Sequence, residues 1–196
     1  MTNFKTKDKI IIGLTGGIAC GKSTAAQIFK KNGAEVICAD ALAAKYFNLI
    51  RDKIERYFKT SDKNKIALEV FKSVSKRKWL EKQIHPFILR EAEDIIKTTK
   101  NNIVVFDAPL LFEAGLKNAF DLTLCVYAAS EIRLKRSLLK GIKDEDFKMR
   151  ERAQTAQEQK AQTADIVLYN NASRKDLENK IKKLYKSLKQ EEKYGK

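Results

Sequence analysis

Residues 13–24 read GLTGGIACGKST, and their glycines, lysine and hydroxyls are spaced for binding phosphate. Gly16, Gly21, Lys22 and Ser23 fit the pattern G-x-x-x-x-G-K-[ST]. Glycines allow consecutive backbone N–H groups to turn inward and form a concave anion site. Lys22 can reach the terminal phosphates of a nucleoside triphosphate, and the Ser23 hydroxyl can complete the shell of a Mg²⁺ ion. We therefore predict that this stretch holds a nucleoside triphosphate.

Two carboxylates stand where apolar segments end. Asp40 follows the run EVIC at 35–38, and Asp107 ends the run IVVFD. In open parallel sheets the ligand-contacting residues come from the carboxyl ends of strands, so both carboxylates are expected beside the phosphates. Asp40 could accept the proton of an acceptor hydroxyl and orient it for in-line attack; an alternative, compatible role is to cap the helix that begins at ALAAKYF. Asp107 is placed to bind Mg²⁺ directly or through water.

The surroundings of Asp107 narrow the class of enzyme. No glutamate follows it directly, as one does in many motor ATPases. The chain also has neither a D-x-x-G switch nor the N-K-x-D motif that reads guanine. These absences argue against a GTPase or a motor ATPase and favour a small-molecule kinase.

Five apolar, β-rich segments position these residues, and helical patterns separate them. The segments are KIIIGL (9–14), EVIC (35–38), NIVVFDA (102–108), LTLCVYA (122–128) and DIVLYN (165–170). Most are continuously apolar rather than alternating, which is typical of strands covered on both faces in a parallel sheet. The alternation of strands and helices predicts an α/β sandwich.

Helix signals lie between and after the strands. The stretch STAAQIFKKNG ends at Gly33, a natural C′ residue. The stretch SEIRLKRSLLKG is expected to begin with Ser130 as its N-cap and to end at Gly141. Residues 173–193 carry leucine and isoleucine on one face and lysines on the other, which predicts an amphipathic helix packed on the core.

Two segments look like excursions from the sheet. Residues 40–100 contain no convincing strand and predict several helices rich in Lys, Arg and aromatic residues. Pro86 fits the first turn of one of these helices, where its missing N–H costs nothing. Residues 130–160 are also helical in pattern and highly charged.

The composition limits the kinds of binding partner and the cellular compartment that we expect for this protein. The 196-residue chain has a formal net charge of +15 and three cysteines. The charge suits polyanionic ligands, but the lysines are spread along the chain, which weakens a nucleic-acid-binding interpretation without removing it. Three cysteines without a C-x-x-C pair indicate reduced thiols. No apolar run reaches the ~18 residues of a membrane span, and KIIIGLTGGIAC is too short and interrupted for a signal peptide. We expect a cytoplasmic protein with no membrane partner.

Several motifs, in order along the chain, resemble those of the dephospho-coenzyme A kinases. They are GLTGGIACGKST, VICAD (36–40), HP (85–86), DAPLLFE (107–113) and ADIVLYNN (164–171). The loop alone is generic, whereas LTGGI, HP and DAPLLFE in sequence are far more specific. The resemblance implies transfer of the γ-phosphate of ATP to the ribose 3′-hydroxyl of dephospho-CoA, the last step of CoA synthesis, with Mg²⁺ as cofactor. We expect a monomer with no nucleic-acid partner.

The resemblance also implies an architecture. The fold would be a P-loop three-layer α/β sandwich with a five-stranded parallel sheet, a helical substrate-binding insertion and a lid. Residues 1–39, 101–129 and 161–196 would form the nucleotide-binding core. Residues 40–100 would form the CoA-binding insertion, and residues 130–160 would form the lid.

The site residues are carried over position by position. The catalytic residues would be Asp40, as the base, and Lys22. The ATP-binding residues would be Gly17, Ala19, Cys20, Gly21, Lys22, Ser23, Thr24 and Asn170. The substrate would contact Asp40, His85, Arg90, Leu111 and Phe112. The lid cations would be Arg136, Lys140 and Arg150, and the metal would be held by Ser23 and Asp107.

The chain departs from the family pattern at several positions. Cys38 replaces the first aspartate of D-A-D, so any role of that carboxylate is lost or reassigned. Cys20 stands where serine is frequent and places a thiol beside the phosphates, where sensitivity to oxidation is expected. Leu89 occupies a position often held by arginine, with Arg90 one residue later. The lid motif R-D-G is reduced to Lys140 and a glycine, so the contacts with the CoA substrate are less defined than the ATP site.

Two alternatives remain open. Another small-molecule or nucleotide kinase of the same fold would differ in its acceptor, which ADP release with dephospho-CoA, AMP, CMP or shikimate would distinguish. A basic, nucleotide-dependent nucleic-acid-binding protein would bind RNA or DNA in a salt-sensitive way and would tolerate Asp40→Asn.

Overall fold

The computed structural model describes residues 2–194, apart from the side chains of residue 71 and residues 191–194. It divides the chain into two compact units. The first covers the chain up to Ile37 and from Thr98 onward, and the second runs from Cys38 to Lys97. The segment GLTGGIACGKST lies in the first unit, whereas Asp40 and His85 belong to the second.

The first unit is built on the five-stranded parallel sheet that the sequence predicts. Its strands are, in chain order, β1 (Ile10–Thr15), β2 (Glu35–Cys38), β3 (Ile103–Asp107), β4 (Leu122–Tyr127) and β5 (Ile166–Tyr169). Across the sheet they run in the order β2-β3-β1-β4-β5. β1 is therefore central, paired in parallel with β3 and β4. The chain that leaves β1 emerges at the middle of the carboxyl edge, where open α/β sheets bind ligands.

Helices make up most of the rest of the described chain. None of the described helices is long and apolar enough to cross a membrane. In chain order they are α1 (Lys22–Lys31), α2 (Ala39–Leu49), α3 (Arg51–Phe58), α4 (Lys63–Lys72), α5 (Val74–Thr98), α6 (Ser130–Leu138), α7 (Asp144–Arg152), α8 (Gln157–Thr163) and α9 (Arg174–Tyr194). A single 3₁₀ turn (Lys117–Ala119) precedes β4 in the described chain.

The sheet lies in the core, which explains its continuous apolar runs. All five residues of β3 are buried. Helices α1 and α9 contact each other and share one apolar cluster with the strands. Within that cluster, Leu177, Ile181 and Leu188 of α9 are buried. The amphipathic helix predicted over 173–193 is confirmed, and its apolar face holds the back of α1 in place.

Two glycines end helices as predicted. At Gly33, φ is 100°, and the next N–H donates to the Phe29 carbonyl at 3.1 Å. At Gly141, φ is 76°, and the N–H of Ile142 donates to the Ser137 carbonyl at 3.1 Å. Both patterns are Schellman closures, in which a left-handed C′ residue satisfies the last carbonyls of a helix.

The beginning of α6 differs from the prediction that Ser130 is its N-cap. Ala129 takes the N-cap position, and Ser130 is the first helical residue. The reason is a tertiary contact, because Asn171 Oδ1 accepts the N–H of Ala129 at 2.9 Å. This bond fixes the chain directly after β4, so the helix begins one residue earlier than the local signal indicates.

The second unit consists of helices α2–α5, in agreement with the helical pattern. Its core contains Ile54, Phe58 and Ile66, all buried. The Tyr57 ring stacks on Trp79 with 3.7 Å between centroids. These contacts give the unit an apolar centre of its own.

The prediction that Pro86 lies in the first turn of a helix is wrong, because it lies inside α5. Proline removes one helical hydrogen bond and disfavours helical geometry at the preceding residue. A stripe of buried side chains at helical spacing nevertheless continues on both sides of it. The stripe comprises Ile84, Ile88, Ala92 and Ile96. Burial of this stripe outweighs the local cost of the proline.

Asp165 ties the beginning of β5 to β4. Its Oδ2 accepts hydrogen bonds from the Thr123 hydroxyl and from the Thr123 N–H, both at 2.7 Å. In return, the Thr123 hydroxyl accepts the N–H of Asp165 at 3.1 Å. These bonds, led by the one from the hydroxyl, hold the pKa of Asp165 below its ordinary value of 3.8.

The depressed pKa of Asp165 predicts a pH-dependent contribution to stability. Because the folded pKa lies below the unfolded one, the contribution is fully present above the unfolded pKa and is lost as pH falls through the folded pKa. Asp165→Asn should lower the free energy of unfolding at neutral pH, and the difference from the parent should shrink below about pH 4. Urea denaturation at several pH values measures this, with the exposed Asp146→Asn as control. A difference that stays constant down to the acid range would contradict the prediction.

Candidate active site

The loop between β1 and α1 has the conformation of an anion-binding turn. Its backbone is left-handed at Ala19, with φ of 58°, and at Gly21, with φ of 101°. A side chain at Gly21 is excluded sterically as well, because its Cβ would lie 2.2 Å from Asn170 Nδ2. Gly21 takes the N-cap position of α1. The first N–H groups of that helix can therefore donate hydrogen bonds to a bound phosphate, and the helix dipole favours its negative charge.

Lys22 and Asp107 meet beside this loop. Lys22 Nζ lies 2.5 Å from Asp107 Oδ1, and the two side chains are only 12% and 6% exposed. Lys22 begins α1 and Asp107 ends β3, so the pairing of β1 with β3 brings them together. Ser23, the next residue of α1, is exposed. The structure thus places a cation, a carboxylate and a hydroxyl at one end of the sheet.

Asn170 and Arg136 hold the loop from outside the motif. Asn170 is 5% exposed, and its Nδ2 donates to the Cys20 carbonyl at 2.8 Å. Arg136 donates to the Asn170 carbonyl at 2.9 Å and to the Cys20 carbonyl at 3.5 Å. The resemblance predicts Asn170 as a contact for ATP and Arg136 as a lid cation. Both lie beside the loop, and these two roles stay predictions.

Arg133 and Gln157 are polar residues at the loop that the sequence analysis missed. They are 3% and 4% exposed. A Cβ on Gly17 would lie 2.5 Å from Gln157 Oε1 and 3.4 Å from Arg133 Nη1, so both side chains lie against the loop. Arg133 also donates to the Ala128 carbonyl at 3.1 Å and to Glu151 at 2.6 Å. Arg133 and Gln157 differ from the many other charged and polar residues of their segment only in being buried. No sequence motif indicates which residues of that segment are buried.

Lys160 is a third residue that the sequence analysis missed. It has no exposed surface, and its Nζ donates to the Pro109 carbonyl at 2.5 Å and lies 3.0 Å from Glu113 Oε1. Glu113 Oε1 also accepts the Thr155 N–H at 2.7 Å. Burial acts to raise the pKa of Glu113, but the bonds from Thr155 and Lys160 outweigh it and hold the pKa below 4.5.

The thiols near the loop are buried. Cys20 is 1% exposed, and burial raises its pKa to about 11. Cys125 in β4 has no exposed surface, and burial raises its pKa to about 12. The thiolate is the form that reacts with oxidants, and both residues disfavour it. Burial of Cys20 therefore argues against the expected sensitivity to oxidation.

The remaining predicted residues of the first unit lie in different surroundings. Leu111 has no exposed surface, and its Cδ1 lies 2.6 Å from where a Cβ on Gly13 would be. Leu111 thus packs against β1, and the structure does not support direct contact with a substrate. Phe112 is half-buried, and Lys140 and Arg150 are exposed, after α6 and on α7. Thr24, in the first turn of α1, is half-buried.

The second unit carries the predicted acceptor-side residues. Asp40 is exposed in the first turn of α2. Cys38, and not Asp40, takes the N-cap position, so the capping alternative is wrong. His85 and Arg90 are exposed on α5.

Helices α2 and α5 are fixed to each other within this unit. The rings of Tyr46 and Phe87 stack with 5.1 Å between centroids. Lys45 Nζ lies 2.7 Å from Glu91 Oε2, and chiefly the bond from Lys45 lowers the pKa of Glu91. The helix that carries Asp40 and the helix that carries His85 therefore contact each other through these two side-chain pairs.

A strand–loop–helix motif with a paired lysine and aspartate, at the centre of a five-stranded parallel sheet, defines a nucleotide-binding protein of the P-loop class. Comparison with known proteins narrows this class. The dephospho-CoA kinase family model matches residues 10–176. The chain belongs to the dephospho-CoA kinase family.

Two curated relatives illustrate the match. The dephospho-CoA kinase of Aquifex aeolicus is 34% identical over 189 residues, covering 90% of this chain and 96% of the relative. That of Thermus thermophilus is 35% identical over 185 residues, covering 91% of each. The similarity therefore extends over both units.

Solved structures agree with the fold. A protein from Thermus thermophilus, 34% identical, superimposes with a TM-score of 0.85 over 93% of this chain and 99% of its own. A dephospho-CoA kinase from Campylobacter jejuni, 27% identical, gives 0.66 over 91% and 96%. A shikimate kinase from Acinetobacter baumannii shares only the fold, with 15% identity and a TM-score of 0.50 over 91% and 94%.

Proposed function

We propose that this protein transfers the γ-phosphoryl group of ATP to the 3′-hydroxyl of the ribose of dephospho-CoA, which gives ADP and CoA. The observation that carries the proposal is the family match over residues 10–176, which includes the loop, Lys22, Asp40 and Asp107. In the reaction the 3′-oxygen forms a bond to the γ-phosphorus. The bond from that phosphorus to the β–γ bridging oxygen breaks, and the proton leaves the hydroxyl.

The first unit would bind and polarise ATP. The backbone N–H groups of the loop from Gly17 to Thr24 surround the phosphates, in keeping with the left-handed turns and the glycine N-cap. Lys22 places its positive charge on the terminal phosphates and stabilises the charge that develops on them during transfer. Asn170 would contact ATP, and its bond to the Cys20 carbonyl supports the loop.

The second unit would supply the acceptor and the base. Asp40 accepts the proton of the 3′-hydroxyl and orients its oxygen for in-line attack. His85 and Arg90 bind the acceptor. The proposal is supported by the match of each residue to the family motif and by the exposure of Asp40, His85 and Arg90.

The segment of α6–α8 would act as the lid. Lys140 and Arg150 are exposed cations on this segment. A lid that brings cations over the transferring group adds electrostatic stabilisation and keeps water out, which prevents hydrolysis of ATP. Arg136 contributes from its place beside the loop.

The residues at the loop fit a magnesium ion bound with ATP. Mg²⁺ takes oxygen ligands, usually one or two from protein, with phosphates and water completing the shell. Ser23 and Asp107 offer a hydroxyl and a carboxylate at the same end of the sheet. When bound, the ion neutralises charge on the β- and γ-phosphates.

The proposal also includes that the protein is cytoplasmic and monomeric. Cys20, Cys38 and Cys125 are free thiols, as expected in a reducing compartment.

Acceptor choice tests the proposed function. Purified protein with Mg-ATP should release ADP when dephospho-CoA is added, and mass spectrometry with phosphorus NMR should show one added phosphate on the ribose 3′-oxygen. AMP, CMP and shikimate serve as matched acceptors, and ADP release with them should stay at the level without acceptor. Phosphorylation of one of these in place of dephospho-CoA would overturn the assignment of substrate. Salt-sensitive binding of RNA or DNA without any phosphoryl transfer would overturn the proposal that the protein is a kinase.

A further inference from the structure

The carbonyl oxygen of Pro109 is a meeting point of three elements beside the loop. The Thr15 hydroxyl, at the end of β1, donates to it at 3.2 Å, and Lys160 Nζ, from α8, donates to it at 2.5 Å. Thr15 directly precedes the first glycine of the loop, and Pro109 follows Asp107 by two residues. A single backbone oxygen thus links the strand that enters the loop, the segment that leaves Asp107, and α8.

Lys160 has a second partner on the same segment. Its Nζ lies 3.0 Å from Glu113 Oε1. That carboxylate also accepts the N–H of Thr155, between α7 and α8, at 2.7 Å. The segment from Asp107 to Glu113 is therefore held at both ends. Lys22 pairs with Asp107 at one end, and Lys160 bonds to Pro109 and Glu113 toward the other.

A role in packing alone does not explain a lysine at this position. Its side chain is completely buried, and removal of an ammonium from water costs free energy that a single ion pair rarely returns. An apolar side chain of similar length would fill the same volume at lower cost. What only the ammonium provides is directional bonding to two acceptors on the segment that carries Asp107.

We propose that Lys160 is a positioning residue for phosphoryl transfer, which holds the segment that carries Asp107 in register with the loop through Pro109 and Glu113. The inference rests on the proposed function. Lys160 acts through protein atoms and touches neither substrate, so its loss should affect the transfer step more than the binding of ATP. A misplacement of about 1 Å in such a segment costs up to about 10²-fold in rate.

The test compares Lys160→Met with the parent and with Lys186→Met, an exposed lysine on α9. Thermal unfolding by circular dichroism first identifies a temperature at which all three are folded. We expect Lys160→Met to lower kcat by about 10–100-fold, with the Kd for ATP, measured by calorimetry, changed less than about threefold. Lys186→Met should change neither value. A Lys160→Met variant that melts at lower temperature but keeps its kcat would show a merely structural role and overturn the inference.

Glu113→Gln keeps the inference testable if Lys160→Met does not fold. This substitution preserves shape and removes the charge, so we expect kcat to fall by about 3–10-fold. An unchanged kcat in this variant overturns the inference. Where both variants fold, the double variant should be little worse than Lys160→Met alone, since both act through one contact; fully additive losses would contradict that.

Failure of the proposed function is distinguishable from failure of this inference. If the parent does not phosphorylate dephospho-CoA, the proposed function fails, and the same variants are compared with the acceptor that the parent does use. If the parent is active on dephospho-CoA and the variants are indistinguishable from it in kcat, only the positioning role of Lys160 fails.

Discussion

Replacement of Asp40 by asparagine should reduce the rate of phosphoryl transfer to dephospho-CoA by about 10²–10⁴-fold, the range that a general base contributes. The amide keeps the shape of the side chain and can still accept a hydrogen bond, but it cannot take the proton of the 3′-hydroxyl. ATP should still bind, because the loop and Lys22 belong to the other unit and are unchanged. Steady-state ADP release gives the rate, and calorimetry gives the affinity for ATP.

Asp52→Asn is the matched control for this experiment. Asp52 is exposed in the first turn of α3, as Asp40 is in the first turn of α2. Both substitutions remove a carboxylate that interacts favourably with a helix N-terminus, an effect of about 0.3–1 kcal/mol on stability. Equal stability losses with activity lost only in Asp40→Asn would isolate the chemistry. An Asp40→Asn variant with parental activity would remove Asp40 as the base.

The fold was predictable because its strongest signals are local. Each strand of the central sheet is a short apolar run between helical patterns, and burial on both faces leaves no room for polar alternation. The loop was predictable for the same reason, since Gly16, Gly21 and Lys22 stand at fixed spacing between a strand and a helix. Asp107 followed from its place at the end of an apolar run, and its ion pair with Lys22 agrees with that reading.

The features that sequence could not give depend on contacts between distant segments. Asn171 fixes the beginning of α6, although Ser130 carries the local capping signal. Pro86 lies inside α5 because buried side chains on both sides of it favour a continuous helix. Leu111 belongs to a motif whose resemblance to the family implies contact with the substrate, but its side chain is buried in the core.

The buried charges show the same limit. Arg133 and Lys160 lie among many lysines and arginines, and nothing in their spacing sets them apart. Each is identified by burial and by the carboxylate that it meets, Glu151 for Arg133 and Glu113 for Lys160. Lysine and arginine are rarely buried without a partner. Burial of these two charged pairs costs free energy, and in return their directional bonds fix the positions of the segments beside the loop.

Lys22→Met should lower the rate of transfer by a large factor and should also lower the stability of the protein. Removal of one group that stabilises transition-state charge costs about 10²–10³-fold in rate. The loss of stability has a separate cause. Asp107 is 5% exposed, and removal of the cation from a buried ion pair costs about 3–5 kcal/mol, because the remaining charge stays buried.

A double variant separates the two effects of Lys22. Lys22→Met with Asp107→Asn removes both charges, so urea denaturation should show most of the lost free energy of unfolding restored. ADP release should remain as low as in Lys22→Met or fall further, because transfer needs the ammonium and the carboxylate that would bind Mg²⁺, and not merely a stable loop. Lys183→Met, an exposed lysine on α9, should match the parent in both measurements. Recovery of activity together with stability would mean that Lys22 only supports the fold, and the assignment of its charge to the terminal phosphates would have to be given up.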